Sequence, residues 1–261
     1  MRPLTLRLLS RVRPAPLASL LGTITGVRRR RVFTDPQGHR FWVDPMSRLG
    51  RSLMYEGSYE RPMCAALCRY LQAGGMFIDA GANEGYFSVL ASRLVGPQGR
   101  VYAIEPQSRL GPLIQKNLEL NGCTNVTVIH GALGARTGTA EIYLSSGINT
   151  GGSSFYRAAR YWRPKQSTPL FTLADFLQQW KIEKCDFMKV DVEGAEYDIF
   201  MNAGTVLASG RISAIALEIH SEVLRRQGLN PGDLHQYMLD AGYQLNDELG
   251  TWVYLHKSAR W

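Results

Sequence analysis

Residues 77–85, which read FIDAGANEG, carry an apolar strand into an amphipathic helix through a turn spaced by glycines. A chain with such a junction has to fold a strand and a helix against each other around one sharp corner. Phe77 and Ile78 supply the buried strand and Asp79 ends it. Gly81 permits the sharp fold, and Gly85 permits the backbone to approach a ligand with no Cβ in the way. Asn83 is placed to cap the next helix, with Glu84 in its first turn. Tyr86, Phe87, Val89, Leu90 and Leu94 then form that helix's apolar side. The corner suits a nucleoside-like ligand; a plain strand-to-helix turn is the competing reading.

A second acid narrows the choice of ligand. Residues 101–104 (VYAI) form a short apolar strand ending in Glu105, 26 residues after Asp79, where a carboxylate can accept both hydroxyls of a ribose. Nicotinamide enzymes place an acid similarly, but their phosphate turn reads G-x-G-x-x-G. Here the position two after Gly81 is Asn83. S-adenosylmethionine has no pyrophosphate to cradle, so the looser turn suits it better.

Five segments, in order, carry a family resemblance: GSYE at 57–60, FIDAGANEGY at 77–86, GRVYAIEP at 99–106, KVDVEGAE at 189–196 and LEIH at 217–220. Together they resemble the FkbM family of S-adenosylmethionine-dependent methyltransferases, from about Gly38 to Tyr254. One departure is Leu173-Ala174-Asp175, where the family more often has two adjacent acids. The resemblance implies S-adenosylmethionine as cofactor, with Asp79 and Gly81 facing its methionine part, Glu105 its ribose, and Gly131 and Ala132 its adenine. It also carries cofactor contacts to Glu60, Asn83, Gly85, Tyr86 and Asp191.

The element order predicts an α/β fold, a Rossmann-like doubly wound sheet of the class I methyltransferase type. Strands near 76–79, 101–105, 125–130, 186–190 and 212–219 alternate with helices at 84–95, 109–121, 172–180, 194–203 and 231–241, which argues a mostly parallel sheet. Ser108 is read as the cap of the second of these helices. A C-terminal hairpin, 243–246 and 252–256, is expected to close one edge antiparallel. Ahead of this body (73–261), residues 32–72 form a small cap, with a hairpin turning at Gln37-Gly38 and a helix over 60–72. Residues 1–31 form a basic arm.

Ligands of such sheets collect beyond the carboxyl ends of the strands. Asp191 and Glu193 follow the fourth strand and Glu218 and His220 the fifth, so these four are the catalytic candidates. Three acids and a lysine within 189–196 would be costly in a core without partners; a helix-start cap with a Lys–acid pair is the bland alternative. His220, with an ordinary pKa of about 6.5, is the natural general base for a hydroxyl acceptor, and Asp191, Glu193 or Glu218 would orient it. A satisfied structural histidine is the competing reading.

The net charge of +8 has a definite address. Residues 1–31 hold eight arginines and no Lys, Asp or Glu, and the rest of the chain is balanced at 22 basic and 22 acidic residues. Arg7 and Arg11 interrupt any signal-peptide core, and the stretch is too short and charged to span a bilayer. Contact with an anionic membrane surface, an organellar transit peptide and a solubilising extension remain as readings of the arm. Cys64, Cys68, Cys123 and Cys185 form no disulfide framework, and the first two read as buried small hydrophobes. This fits a reducing, cytoplasmic setting. No spacing marks a zinc site, and no residue is assigned to a metal.

Residues 142–174 contain no acid and read as a long irregular segment. Arg157, Arg160, Arg163 and Lys165 there interleave with Phe155, Tyr156, Tyr161 and Trp162, as in a lid over an anionic, ring-containing acceptor. The expected activity is O-methylation of a hydroxyl on a saccharide, lipid-linked glycan or secondary metabolite. A nucleic-acid methyltransferase is the runner-up, disfavoured because DVEG replaces the Asn/Asp-Pro-Pro-aromatic motif. A non-catalytic cofactor-binding, membrane-associated protein is the third reading.

Overall fold

The computed structural model describes residues 30–145, 150–156, 165–247 and 250–259. A hairpin of β1 (Arg31–Thr34) and β2 (Arg40–Val43) leads into helices α1 (Arg48–Glu56) and α2 (Arg61–Tyr70). Next come β3 (Met76–Ala80), α3 (Tyr86–Val95), β4 (Arg100–Glu105), α4 (Gly111–Leu120) and β5 (Val126–His130). The chain continues through β6 (Ala132–Leu133), β7 (Gly138–Tyr143), β8 (Lys165–Phe171), α5 (Leu173–Gln179) and β9 (Cys185–Val190). It closes with α6 (Glu196–Phe200), α7 (Gly204–Ala208), β10 (Ile212–Leu217), α8 (Ser221–Arg226), α9 (Pro231–Asp240), β11 (Tyr243–Asn246) and β12 (Val253–His256).

Seven strands form one sheet in the order β11-β12-β10-β9-β3-β4-β5. Neighbours from β10 to β5 run parallel, while β12 pairs antiparallel with both β10 and β11. This is the expected doubly wound sheet with its antiparallel C-terminal edge. Helices cover both faces, so successive residues of one strand enter different cores. Ile78, Tyr102 and Met188 join Phe176, Phe200 and Tyr254 in one, whereas Phe77, Val101 and Phe187 join Leu67, Tyr70 and Tyr86 in the other.

The cap is fastened to the body through two asparagines, Asn117 on α4 and Asn121 at its C-terminal end. Asn117 Oδ1 accepts from Trp42 N at 2.7 Å, and its Nδ2 donates to the Glu84 carbonyl at 2.8 Å. Asn121 accepts from Arg40 N at 2.9 Å and donates to Arg40 O at 2.7 Å. Arg30, inside the stretch read as a free arm, donates through Nη1 to Glu84 Oε2 at 2.7 Å and lies over the Trp42 ring. Residues 1–29 fall outside the described residues, as do Arg157, Arg160, Arg163, Tyr161 and Trp162. Among the described residues no helix is long and apolar enough to cross a membrane.

Several local expectations are corrected. The helix expected at 84–95 starts at Tyr86 with Gly85 at its cap; Asn83 is left-handed (φ 52°), and Glu84 precedes the helix, buried against Arg30. Ser108 opens a 3₁₀ turn over Ser108–Leu110 and does not cap the following helix, because Gly111 and Pro112 let the α-helix begin after that turn. Part of the segment expected to be irregular is β8, paired with β6 and β7 in a separate three-stranded sheet. Cys64 is half-buried and Cys68 exposed, since α2 turns the latter away from the core. Asn117 is fully buried, so Asn117→Ala strands the Trp42 N–H and the Glu84 carbonyl; it is expected to cost about 2 kcal/mol, read as a lower urea midpoint at unchanged slope.

Candidate functional site

Strand order reverses between β3 and β9, and the two strand ends touch backbone to backbone there. Gly81 has φ +84°, and a Cβ at that position would lie 1.9 Å from the Asp191 carbonyl oxygen. Only glycine satisfies both conditions. The Gly81 and Ala82 N–H groups both donate to Ile104 O at 3.0 Å, folding the turn back onto β4. Asp79 is fully buried; its Oδ2 accepts from Ser88 Oγ at 2.6 Å, and Lys189 Nζ lies 3.9 Å from Oδ1. Burial pushes the Asp79 carboxyl up, against the pull of Lys189 and Ser88.

Glu105 ends β4 as the sequence predicts. Asn83 N donates to its Oε2 at 2.8 Å and Gln107 N to its Oε1 at 2.9 Å. Burial raises its carboxyl to about 7, opposed by those two N–H groups. The crevice beside it is walled by Gly81, Asn83, Gly131, Ala132 and Asp191 and also by Gly151, Ser153, Ser154 and Phe155. Its volume is about 50 Å³, whereas small-molecule pockets run to roughly 300–1,000 Å³.

Three expected cofactor contacts stand elsewhere. Gly85 faces α4, where a Cβ would come within 3.0 Å of Ile114 Cγ2, so its smallness serves helix packing. Tyr86 is buried among Phe41, Tyr59 and Phe87, and its hydroxyl accepts from Tyr59 N at 3.3 Å. Glu60 lines a larger cavity on the other side of Asp191, with its Oε1 3.4 Å from Arg48 Nη2. Gly131 does line the crevice, but its missing Cβ also makes room for Phe171, which would otherwise be 2.8 Å away.

That larger cavity, about 700 Å³, is lined by Arg48, Glu60, Lys189, Asp191, Glu218, Arg225, Pro231, His235 and Trp252. Between it and the crevice lies a polar hollow of about 60 Å³ walled by Arg48, Tyr59, Asn83, Asp191, Glu193, Glu218 and His220. Asp191 borders all three spaces. The structure thus joins Asp191, Glu193, Glu218 and His220 at one point, with Glu218 and His220 just beyond the end of β10.

His220 is held from behind by Glu196, a residue that sequence reading placed in the acidic stretch without a role. Its Nδ1 lies 2.6 Å from Glu196 Oε1, which also accepts from Gly194 N at 3.0 Å. Around Nε2 stand Glu193 Oε2 at 3.6 Å, Asp191 Oδ1 at 3.8 Å and Glu218 Oε1 at 3.9 Å. Burial alone would lower the imidazole pKa; the Glu196 hydrogen bond and the charges of Glu196, Glu193 and Asp191 outweigh it and raise it to about 9. The expectation of an unperturbed His220 is corrected accordingly: the ring carries a proton at neutral pH. Burial, relieved in part by His220 and reinforced by Asp191 and Glu218, lifts Glu193 to about 7.

Residues 79–245 match the methyltransferase FkbM domain. A protein-L-isoaspartate O-methyltransferase of Methanococcoides burtonii is 34% identical over 79 residues, 29% of this chain and 39% of that protein. Methyltransferase sdnD of Sordaria araneosa is 28% identical over 219 residues, 70% of this chain and 79% of that one. The chain spans less than half the length of that isoaspartate methyltransferase. Among solved structures, fibrillarin of Aeropyrum pernix with natively bound S-adenosyl-L-methionine is 16% identical, covering 87% of this chain and 82% of that one at a TM-score of 0.40. A precorrin-6y C5,15-methyltransferase from Geobacter metallireducens is 17% identical over 70% of this chain and 72% of that one, at a TM-score of 0.42.

NMR titration of His220 in the protein alone is expected to give a midpoint near 9, moving down in Glu196→Gln. Because the folded pKa is raised, this pair's stabilisation is complete below the unfolded value of about 6.5 and is lost as pH rises through the folded one.

Proposed function

The chain belongs to the FkbM family of S-adenosylmethionine-dependent methyltransferases, and from that premise we propose that its acceptor is a hydroxyl oxygen on a saccharide, lipid-linked glycan or secondary metabolite. The observation that carries this reading is the position of Asp191, bordering the Glu105 crevice, the polar hollow and the large cavity at once. Trp252 and His235, with ring centroids 6.2 Å apart, give the cavity an aromatic wall suited to one face of a ring. Arg48 and Arg225 give it cations for a phosphate or carboxylate.

The residues present fit the cofactor. Glu105 accepts the Asn83 and Gln107 backbone N–H groups and the Gln107 side chain, and as a carboxylate it still has acceptor capacity for a ribose hydroxyl. S-adenosylmethionine supplies an electrophilic methyl group on a sulfonium centre. The protein's own work is then to orient the acceptor and exclude water, and alignment alone lowers a barrier by ~7–11 kcal/mol in favourable cases. At neutral pH the protonated His220 orients the acceptor oxygen, and Glu193, half ionised near 7, is the group placed to take the hydroxyl proton. A positioned base of this kind contributes roughly a hundred- to ten-thousandfold.

Calorimetric titration with S-adenosylhomocysteine tests the cofactor site. Binding is expected in wild type and lost in Glu105→Ala. Protonation of Glu105 replaces a charged acceptor by a weaker neutral one, so the Kd should rise ~5–10-fold from pH 8 to pH 6, a step absent from Glu105→Gln; a flat profile in wild type overturns the ribose role. Methyl transfer to hydroxylated acceptors, screened with radiolabelled cofactor, should fall at least ~100-fold in Glu193→Gln. Transfer only to nitrogen or carboxyl acceptors would sink the hydroxyl reading.

A further inference from the structure

Glu84 is a carboxylate almost sealed from water, 1% exposed, next to the residue whose N–H reaches Glu105. Among the described residues, the one group hydrogen-bonded to its side chain is Arg30 Nη1, 2.7 Å from Oε2; Oε1 is buried without a hydrogen-bond partner. We propose that Arg30 is a positioning residue for the cofactor: by neutralising Glu84 it holds the turn in the shape that presents Asn83 to Glu105, and so sets the affinity of the crevice there. The last step rests on the reading of Glu105 as the ribose acceptor, while the hold of Arg30 on the turn rests on geometry alone.

Charge gives the first reason. A carboxylate taken out of water is costly unless an opposite charge meets it at hydrogen-bond distance. Burial pushes the Glu84 carboxyl up, Arg30 pulls it down, and Asp44, of the same sign as Glu84, pushes it up again. Arg30 is itself fixed from the other side. Its Nη1 also donates to Trp42 O at 3.2 Å, and its guanidinium carbon lies 5.6 Å from the centroid of the Trp42 ring. The cation is thus placed by β2, and the carboxylate is held against it. Without Arg30, Glu84 either takes up a proton or leaves its pocket for water.

Backbone conformation gives the second. Glu84 stands between Asn83 at φ 52° and Gly85 at φ 79°. A left-handed residue other than glycine is costly and persists where its surroundings hold it. Here the Glu84 carbonyl is held by Asn117 Nδ2 and its side chain by Arg30. One residue earlier, Asn83 N donates to Glu105 Oε2 at 2.8 Å. That N–H is one of the groups that oppose the effect of burial on Glu105. A Glu84 that swings toward water pulls on the backbone of Asn83 and takes the N–H away. Glu105 then holds its proton more tightly and accepts less well from a ribose. If Arg30 merely tied the cap to the body, its loss would lower stability and leave the folded protein binding as before.

The test compares the full chain with Arg30→Gln, Arg30→Lys and the double variant Arg30→Gln/Glu84→Gln. Two readouts are taken on folded protein: calorimetric titration with S-adenosylhomocysteine, and hydrogen exchange of the Asn83 amide followed by NMR without ligand. Arg30→Gln is expected to raise the Kd ~10-fold and to speed Asn83 exchange by at least ~10-fold, because it strands a buried charge. Arg30→Lys, which keeps the charge, should stay within about threefold of wild type. The double variant removes the stranded carboxylate and should return both readouts to within about threefold of wild type. With no buried charge left, it also decides the question should Arg30→Gln alone fail to fold. Affinity and exchange both unchanged in Arg30→Gln, or a loss that Glu84→Gln does not relieve, overturns the proposal. Faster Asn83 exchange at unchanged affinity overturns the ribose reading of Glu105 and leaves the hold of Arg30 on the turn standing.

Discussion

The contact between Gly81 and the Asp191 backbone governs the rest of the site. It lets the turn after β3 and the end of β9 meet with no side chain between them, and Asp191 N donates to Ala80 O at 3.1 Å across the same seam. Because the seam lies where strand order reverses, it places Asp191 next to three spaces that would otherwise be separate. Every other charged group in the trough is positioned relative to that residue. Lys189 bridges it at 3.3 Å to buried Asp79, and His220 meets it from the neighbouring strand end.

Charge and burial act against each other throughout this region. Burying carboxylates raises their affinity for protons, and Glu105 and Glu193 are both lifted to about 7. Their neighbours respond in kind: His220 retains a proton to about 9 because acids surround it on both ring nitrogens. The outcome is a set of groups whose protonation states differ near neutrality, which is what proton transfer between an acceptor and the protein needs.

The alternation of strands and helices was legible because the strands are buried on both faces and separated by helices of regular period. Phe77 and Ile78, or Phe187 and Met188, announce a two-sided strand by being apolar in succession. Gly81 was legible because a sharp turn requires it, and Glu105 because it ends an apolar run. Residues whose roles depend on distant partners were not. Gly85 and Tyr86 share the motif of the turn but answer to Ile114 and to the aromatic cluster around Tyr59, contacts invisible in local pattern. Glu196 looked like one more acid, since only the fold brings His220 to it across 24 positions. The short strands β6, β7 and β8 lack strong alternation, and β8 contains Pro169, so local pattern gave little reason to pair them.

Asn117 and Arg30 make the turn around Glu84 a shared property of cap and body. Asn117 ties the Glu84 carbonyl to the Trp42 strand, and Arg30 neutralises the buried Glu84 side chain. Any event that draws Arg30 away leaves that carboxylate uncompensated, directly beside the turn that supplies Asn83 to Glu105.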